Sequence, residues 1–389
     1  MSDLTNEQIS ATLILPYLNH AARMFEQGYA SAVDIDNGMR FGCGYPKGPL
    51  AVIDELGVAA VRDQLAARFA ESGDNLHKPA DVLEKLVAEG STFHGGDGAG
   101  ASAPEFKQDI TKVGVVGTGT MASGMIQVFA QAGYDVTFIG RGQDKLDGVL
   151  SFIDKGLSKL VEKGRITEDA KSDTLGRLTG STEREALGDV DIVVEAIAED
   201  LAIKTELYKD LDRICKPGAI LATTTSSMPI TKLGEVTSRP ESVIGMHFFN
   251  PATIMKLVEV VTTDATSSDV AETVLALCAN VGKVAVSCGD RSGFIVNCLL
   301  FPYLNDAVLL LESGAATMEE IDAAIKEQAG FPMGPFALLD VVGNDVSLAI
   351  QQELFAEFGE LGFAPAAQLE AKVAEGALGR KTKNGFYTY

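Results

Sequence analysis

The chain has no tryptophan, four histidines in 389 residues, and no excess of positive charge. Lys and Arg number 32 against 54 Asp and Glu, a formal net charge of −22. A surface this acidic repels polyanions, which excludes nucleic acid and anionic membrane as partners held by general charge. The uninterrupted run of about 18 apolar residues that a membrane span needs is missing. The start, MSDLTNEQIS, lacks the basic segment and apolar core of a secretory leader, so a cytoplasmic location is expected. Cysteines are few and odd in number: 43, 215, 278, 288 and 298 fit neither a disulfide framework nor a zinc site. Reduced thiols and no metal are the expectation. What is present, 46% hydrophobic and 22% charged residues, has the balance of a globular protein. A chain of this length is expected to form about two or three domains.

Comparing the chain with itself reveals a repeat. Residues 13–57 align without a gap to residues 299–343, at an offset of 286, with 18 identities in 45 positions. Pro16-Tyr17-Leu18-Asn19 matches Pro302-Tyr303-Leu304-Asn305, and Ile35-Asp36 matches Ile321-Asp322. Pro46, Gly48 and Pro49 match Pro332, Gly334 and Pro335, and Val87-Ala88-Glu89-Gly90 matches Val373-Ala374-Glu375-Gly376. Each copy reads as helical, since Leu13, Tyr17, Ala21 and Met24 share one helical face, as do Leu299, Tyr303, Ala307 and Leu310. Between the copies, short apolar runs alternate with amphipathic segments, the pattern of a doubly wound, mostly parallel sheet. The strands expected are 113–116, 136–139, 192–194, 220–223, 243–248, 257–261 and 284–286. The expected order is a helical copy over 1–92, a Gly/Ala/Ser-rich linker over 93–108, an α/β domain over 109–290 and a second helical copy over 291–389.

Lys112-Val113-Gly114-Val115-Val116-Gly117-Thr118-Gly119-Thr120-Met121-Ala122 reads as strand, glycine turn and helix start. Gly117 permits the tight turn, and Gly119 lets the backbone amides of Thr120 and Met121 approach a pyrophosphate at the helix N-terminus. Ala122 takes the third position of this fingerprint, where a small residue allows close packing of helix on strand. In a strand-helix-strand setting this is a Rossmann-type dinucleotide site, while a plain turn is the alternative. The next strand ends Phe138-Ile139-Gly140-Arg141. Gly140 stands where an acid would read the ribose 2′-hydroxyl, and Arg141 offers a guanidinium fork to a 2′-phosphate. The cofactor expected is NAD(P), with NADP favoured over NAD. An ordinary surface arginine is the other reading.

His247 is the one histidine in the α/β region, at the end of Val243-Ile244-Gly245-Met246-His247. Moving a hydride from a carbinol carbon requires a group to take the hydroxyl proton, and imidazole suits neutral pH. Glu259 follows twelve residues later, in Lys256-Leu257-Val258-Glu259-Val260. A turn at Asn250-Pro251 and a returning strand would bring this carboxylate beside the ring and orient it.

The segments Thr225-Ser226-Ser227, His247-Phe248-Phe249-Asn250-Pro251, Met255-Lys256-Leu257-Val258-Glu259-Val260, Gly293-Phe294-Ile295-Val296-Asn297 and Gly379-Arg380-Lys381-Thr382 occur in that order. Together with the glycine fingerprint they resemble the 3-hydroxyacyl-CoA dehydrogenase family from about residue 110 to the C-terminus, and the first helical copy resembles that family's helical domain. The resemblance implies His247 as acid/base, Glu259 as its orienting partner, and Ser226 and Asn297 as donors to the substrate oxygen or thioester. It implies that Glu199, Lys204 and Lys381 contact the dinucleotide. Lys163, before Gly164-Arg165, could meet a CoA phosphate, or could be a solvated lysine. Thr224 departs from the family's usual Asn, and Gly140 from its ribose-reading acid. The activity implied is reversible oxidation of (S)-3-hydroxyacyl-CoA, short-chain 3-hydroxybutyryl-CoA first, in fatty acid or butanoate metabolism. At the offset of 286, Asn297 falls on Ala11 and the Gly-Arg-Lys-Thr tail on Phe93, His94 and the two residues after, so copy one is expected to be non-catalytic. It is expected to pair with copy two within the chain, in a monomer or homodimer. A dehydrogenase of a free hydroxy or sugar acid on the same scaffold, and a non-catalytic dinucleotide-binding protein, are the competing readings.

Overall fold

The computed structural model describes residues 4–95, 103–226 and 228–389. The chain divides into two compact units: Ser102–Arg291, and a helical unit made of Met1–Ala101 with Ser292–Tyr389.

The first segment of the helical unit holds α1 (Asn6–Glu26), α2 (Ala32–Cys43), α3 (Pro49–Leu56), α4 (Val58–Ser72) and α5 (Asp81–Glu89). Local sequence sets their ends. Thr5 and Gln8 close a reciprocal capping box on α1, Ser31 caps α2 by accepting from Asp34 N, and Pro49 opens α3 with the φ a first turn needs.

The α/β unit contains β1 (Lys112–Val116), α6 (Thr120–Gln131), β2 (Asp135–Ile139), α7 (Gln143–Glu162), α8 (Glu168–Gly176) and β3 (Leu178–Ser181). It continues with β4 (Ile192–Glu195), α9 (Leu201–Ile214), β5 (Ile220–Thr223), α10 (Ile230–Gly234), β6 (Val243–Phe248), β7 (Leu257–Thr262), α11 (Ser268–Asn280) and β8 (Val284–Gly289). The strands form one sheet in the order β3-β2-β1-β4-β5-β6-β7-β8. Neighbours run parallel except β6 and β7, which are antiparallel. Seven strands match the expected runs; β3 does not. Its Leu-Thr-Gly-Ser sequence is polar and half exposed at the sheet edge, so it carries no apolar signal. A Cβ on its Gly180 would stand 2.9 Å from the Phe138 ring, so glycine is what lets β3 close on β2.

The second helical segment holds α12 (Val296–Glu312), α13 (Met318–Ala324), α14 (Pro335–Val342), α15 (Asn344–Phe358) and α16 (Ala367–Ala374). The repeat extends to individual hydrogen bonds. Asn19 donates to Lys78 O and accepts from Ala80 N; Asn305 donates to Ala364 O and accepts from Ala366 N. Asp36 accepts from Leu50 N and Ala51 N, and Asp322 from Phe336 N and Ala337 N. A Cβ on Gly48 or Gly334 would overlap those same carboxylates at 2.2 and 2.3 Å, which explains why both copies keep Gly-Pro there.

Within the helical unit the two segments pack on each other like halves of a symmetric dimer. Tyr45 stacks on its own counterpart Phe331 with ring centroids 3.6 Å apart, and Tyr17 meets its counterpart Tyr303 at 5.9 Å. The space for a Cβ on Gly44 is bounded by Pro332 at 3.7 Å, and that on Gly330 by Pro46 at 3.5 Å, so the contacts are reciprocal. An interface in which residues meet their own counterparts is isologous.

One expectation changes at the copy boundaries. The ungapped offset fails at the tail: Asp54 accepts from Phe93 N and His94 N, while Asp340 accepts from Phe386 N and Tyr387 N. Phe93 therefore corresponds to Phe386, an offset of 293 rather than 286, and copy one lacks the seven-residue loop that carries Lys381. His94 sits 2.8 Å from Asp54 and 3.3 Å from Asp36, as the Tyr387 hydroxyl sits 3.0 Å from Asp322. Both ends of the stretch 93–108 also make contacts of their own. Phe93 packs edge-on against Phe25, and the amides of Lys107 and Gln108 both donate to Thr273 Oγ1. Residues 96–102 of that stretch lie outside the described residues.

Asp306 stands where copy one has His20. Burial, and then the charge of Asp74, push its carboxyl up to about 8. The unfolded chain releases this proton near the ordinary value of 3.8 and the folded chain holds it to about 8, so folding loses stability across that interval. Asp306→Asn is expected to melt at the wild-type temperature at pH 4 and on the order of 3 °C higher at pH 8. Thermal melts at the two pH values check this; a gain at pH 4 that shrinks at pH 8 contradicts it.

Candidate active site

At the carboxyl ends of β1, β2 and β4, where the strand order reverses between β1 and β4, lies a groove of about 680 Å³. Such a crevice is where doubly wound sheets bind ligands. Gly117, Gly119, Thr120, Met121, Gly140 and Arg141 all line it. Gly117 has φ +137°, and a Cβ there would come within 2.4 Å of Ala196 O. Only glycine fits. Gly119 begins α6 in extended conformation, and a Cβ on it would touch nothing in the protein. The space beyond it is open over the first amides of α6, as a pyrophosphate needs. Ala122 is fully buried under the turn, 3.3 Å from the position of a Cβ on Gly117.

At the other end of the groove, a Cβ on Gly140 would meet Thr118 at 2.9 Å and Leu146 at 2.8 Å. A carboxylate side chain at that position would have to displace both. Lys145, in the first turn of α7, and Thr182 and Arg184, just after β3, line the groove beside Arg141. The sequence reading missed these three, because β3, which brings in Thr182 and Arg184, gave no strand pattern. Arg184 is paired with Asp210.

Beneath the groove runs a buried polar chain that begins at Glu195, another residue missed from sequence. Glu195 is fully buried at the end of β4 and accepts from Lys204 Nζ at 2.7 and 2.9 Å, from Thr223 Oγ1 at 2.7 Å and from Ile197 N at 2.7 Å. Lys204 is itself 1% exposed, and its ammonium also lies 3.4 Å from Glu199. Glu199 accepts from Thr225 Oγ1 at 2.9 Å and Ser226 N at 3.0 Å. The structure thus joins Ser226, Glu199 and Lys204 in one network, with the Lys204 ammonium turned to carboxylates. Ser227 lies outside the described residues. Thr224, in place of the family's Asn, presents its hydroxyl to Phe248 N at 3.4 Å.

The hairpin expected at Asn250-Pro251 is present, with a cis peptide before Pro251. Antiparallel register sets His247 directly opposite Glu259. His247 Nδ1 is 2.7 Å from Glu259 Oε2, and Glu259 is fully buried. A carboxylate at that distance accepts a hydrogen bond from Nδ1–H, which selects the tautomer that leaves Nε2 for proton exchange. The Phe249 ring, 4.8 Å from the imidazole, closes one side. Asn297 and Lys381 belong to the helical unit: Asn297 lies in the first turn of α12, and Lys381 pairs with Asp345. Lys163 follows α7 as its exposed C-cap.

Residues 112–291 match the NAD-binding domain of 3-hydroxyacyl-CoA dehydrogenase, and the C-terminal domain of the same family matches twice, over 9–99 and 293–389. The chain belongs to the 3-hydroxyacyl-CoA dehydrogenase family. A 3-hydroxybutyryl-CoA dehydrogenase of Clostridioides difficile is 45% identical over 278 residues, 72% of this chain and 99% of that one. The mitochondrial hydroxyacyl-coenzyme A dehydrogenase of Rattus norvegicus is 41% identical over 72% of this chain and 91% of its own. Among solved structures, the (S)-3-hydroxybutyryl-CoA dehydrogenase of Ralstonia eutropha superposes with a TM-score of 0.71 at 39% identity, covering 72% of this chain and 99% of that chain. This chain is an oxidoreductase of that family with a second copy of its helical domain at the N-terminal end. Among the described residues no helix is long and apolar enough to cross a membrane.

Proposed function

We propose that the chain interconverts (S)-3-hydroxyacyl-CoA and 3-oxoacyl-CoA, with 3-hydroxybutyryl-CoA as the first substrate to try and NADP preferred over NAD. The observation that carries the reaction is the His247–Glu259 pair, an imidazole fixed by a buried carboxylate in a sheet whose switch point is shaped for a dinucleotide. A bound nicotinamide supplies the hydride acceptor at the substrate's C3. His247 Nε2 takes the hydroxyl proton as the C3–H bond breaks, and returns it in the reduction direction. Glu259 holds the ring and balances the imidazolium that forms. Ser226, tethered by Glu199, and Asn297 donate to the substrate oxygen or thioester and so stabilise charge on the carbonyl in reduction. Lys381 and Lys163 are assigned to the dinucleotide and to a CoA phosphate.

The preference for NADP rests on glycine in place of an acid at 140, where a side chain would have to shift Thr118 and Leu146, and on Arg141, Lys145 and Arg184 around the same end of the groove. Arg141 and Lys145, beside an Arg184 already paired with Asp210, and no carboxylate in the ribose-reading position favour a 2′-phosphate. The testing experiment is acetoacetyl-CoA reduction with NADPH and with NADH. Arg141→Ala is expected to lower kcat/KM with NADPH about 10- to 100-fold, the cost of one charge-assisted contact, and to leave NADH nearly unchanged. A strong NADH preference untouched by the substitution removes the 2′-phosphate argument. Turnover of a free hydroxy acid with none of any 3-hydroxyacyl-CoA removes the substrate class. The same reading puts the enzyme in the cytoplasm as a monomer or homodimer, with the two helical copies paired within each chain.

A further inference from the structure

Copy one has lost the features that would make it a second active site, yet it keeps a cavity. About 430 Å³ lies between α1, the turn before α3, α3 itself, and residues 328–331. That volume is within the range of small-molecule sites, roughly 300–1,000 Å³. The walls are apolar: Ile14, Leu18, Pro49, Val52, Leu56 and Phe331. Leu56 is 55% exposed, a large apolar side chain left at the rim where solvent would not favour it. Tyr17 is also in the wall, and its buried hydroxyl has no hydrogen-bond partner.

The repeat says what the cavity is the duplicate of. At the offset of 286, Ala11 in the cavity wall corresponds to Asn297, Glu7 to Gly293, and Val52 to Leu338. The cavity therefore occupies the face of α1 that matches the Asn297 face of α12. With Ala11 in place of Asn297, that face can hold an alkyl chain but has no amide to polarise a carbonyl. Around the mouth stand Glu7, Glu55, Lys47, Gln64 and Gln328, and Lys47 is paired with Glu55. The balance at the rim is one negative charge, which disfavours a free carboxylate and suits a neutral, hydrogen-bonding thioester and its pantetheine amides.

We propose that copy one is a non-catalytic acyl-thioester site: the cavity takes the alkyl chain of an acyl-CoA, and the glutamine-bearing rim takes its neutral thioester arm. This rests on the reading of Asn297 as a substrate contact. Because Phe331 of copy two forms part of the wall and stacks on Tyr45, an occupant touches both copies.

The probe is octanoyl-CoA, which has no oxygen at C3 and cannot be turned over. Equilibrium dialysis against the full chain is expected to find a second mole bound per chain beyond the one at the active site. Ala11→Trp, which fills the cavity, is expected to lose that second mole while keeping acetoacetyl-CoA reduction within about twofold of wild type. Val52→Phe serves as an independent filling variant if the tryptophan disturbs folding. One mole per wild-type chain, or a second mole that survives both fillings, overturns the proposal. A second mole of octanoate in place of octanoyl-CoA overturns the thioester assignment. Loss of all turnover with the second, filling-sensitive mole retained supports this site and counts against the dehydrogenase reading alone.

Discussion

His247→Gln is expected to lower kcat/KM for acetoacetyl-CoA reduction about 10²- to 10⁴-fold, the usual contribution of a positioned acid/base. Glutamine approximates the length of the imidazole and can still hydrogen-bond Glu259, so β6 and β7 keep their register, but it cannot carry a proton at neutral pH. The dinucleotide groove is lined by the ends of β1 and β2 and by segments that follow β1, β2, β3 and β4, and His247 is not among them. Cofactor affinity, read from the fluorescence of bound NADPH, should therefore change little. Glu259→Gln should cost less, about 10- to 100-fold, because it removes the group that orients the ring and leaves the ring in place. It also buries an amide against Nδ1, so the loss should fall on kcat more than on KM. Near wild-type reduction by His247→Gln would falsify the acid/base assignment. Equal collapse of NADPH binding would mean the substitution had damaged the fold.

The second large effect lies below the groove. Lys204→Met is expected to destabilise the α/β unit by about 3–5 kcal/mol, since it strands the fully buried Glu195 carboxylate without its cation. Thr223 and the Ile197 amide would still donate to Glu195, but two neutral donors do not replace an ammonium at 2.7 Å. Adding Glu195→Gln should restore a large part of the loss, because the buried charge goes and the amide oxygen still accepts from Thr223. Denaturant unfolding of wild type, the single and the double variant gives the comparison. A double variant less stable than Lys204→Met alone would show that the ion pair is not the source of the effect. The single variant should also weaken catalysis modestly, because Lys204 meets Glu199 and Glu199 holds Ser226.

Much of the site was legible because its parts are local. The glycine turn, the α6 start and the Gly140-Arg141 pair sit within single strand-to-helix connections, where backbone sterics act between near neighbours. His247 and Glu259 are twelve apart across one hairpin, so alternation and a turn at Asn250-Pro251 suffice to set them face to face. Lys204 was legible only as a motif position. Its ammonium turns to Glu195, and no spacing rule links a strand-end acid to a helix lysine nine residues on. Thr182 and Arg184 depend on β3, which packs at the sheet edge through Gly180 and Phe138 rather than through an apolar run of its own.

The duplication followed from the residues alone, because identity at a constant offset needs no coordinates. So did the strand-helix alternation and the expectation of one catalytic centre, since hydrophobic period and glycine placement are written in near-neighbour order. Tertiary structure alone decided three things: the seven-residue shift that makes Phe93 and His94 the partners of Asp54, the Glu195–Lys204–Thr223 cluster, and the copy-one cavity closed by Phe331. Each depends on which distant elements meet when apolar faces are buried, and that choice belongs to the packed chain as a whole.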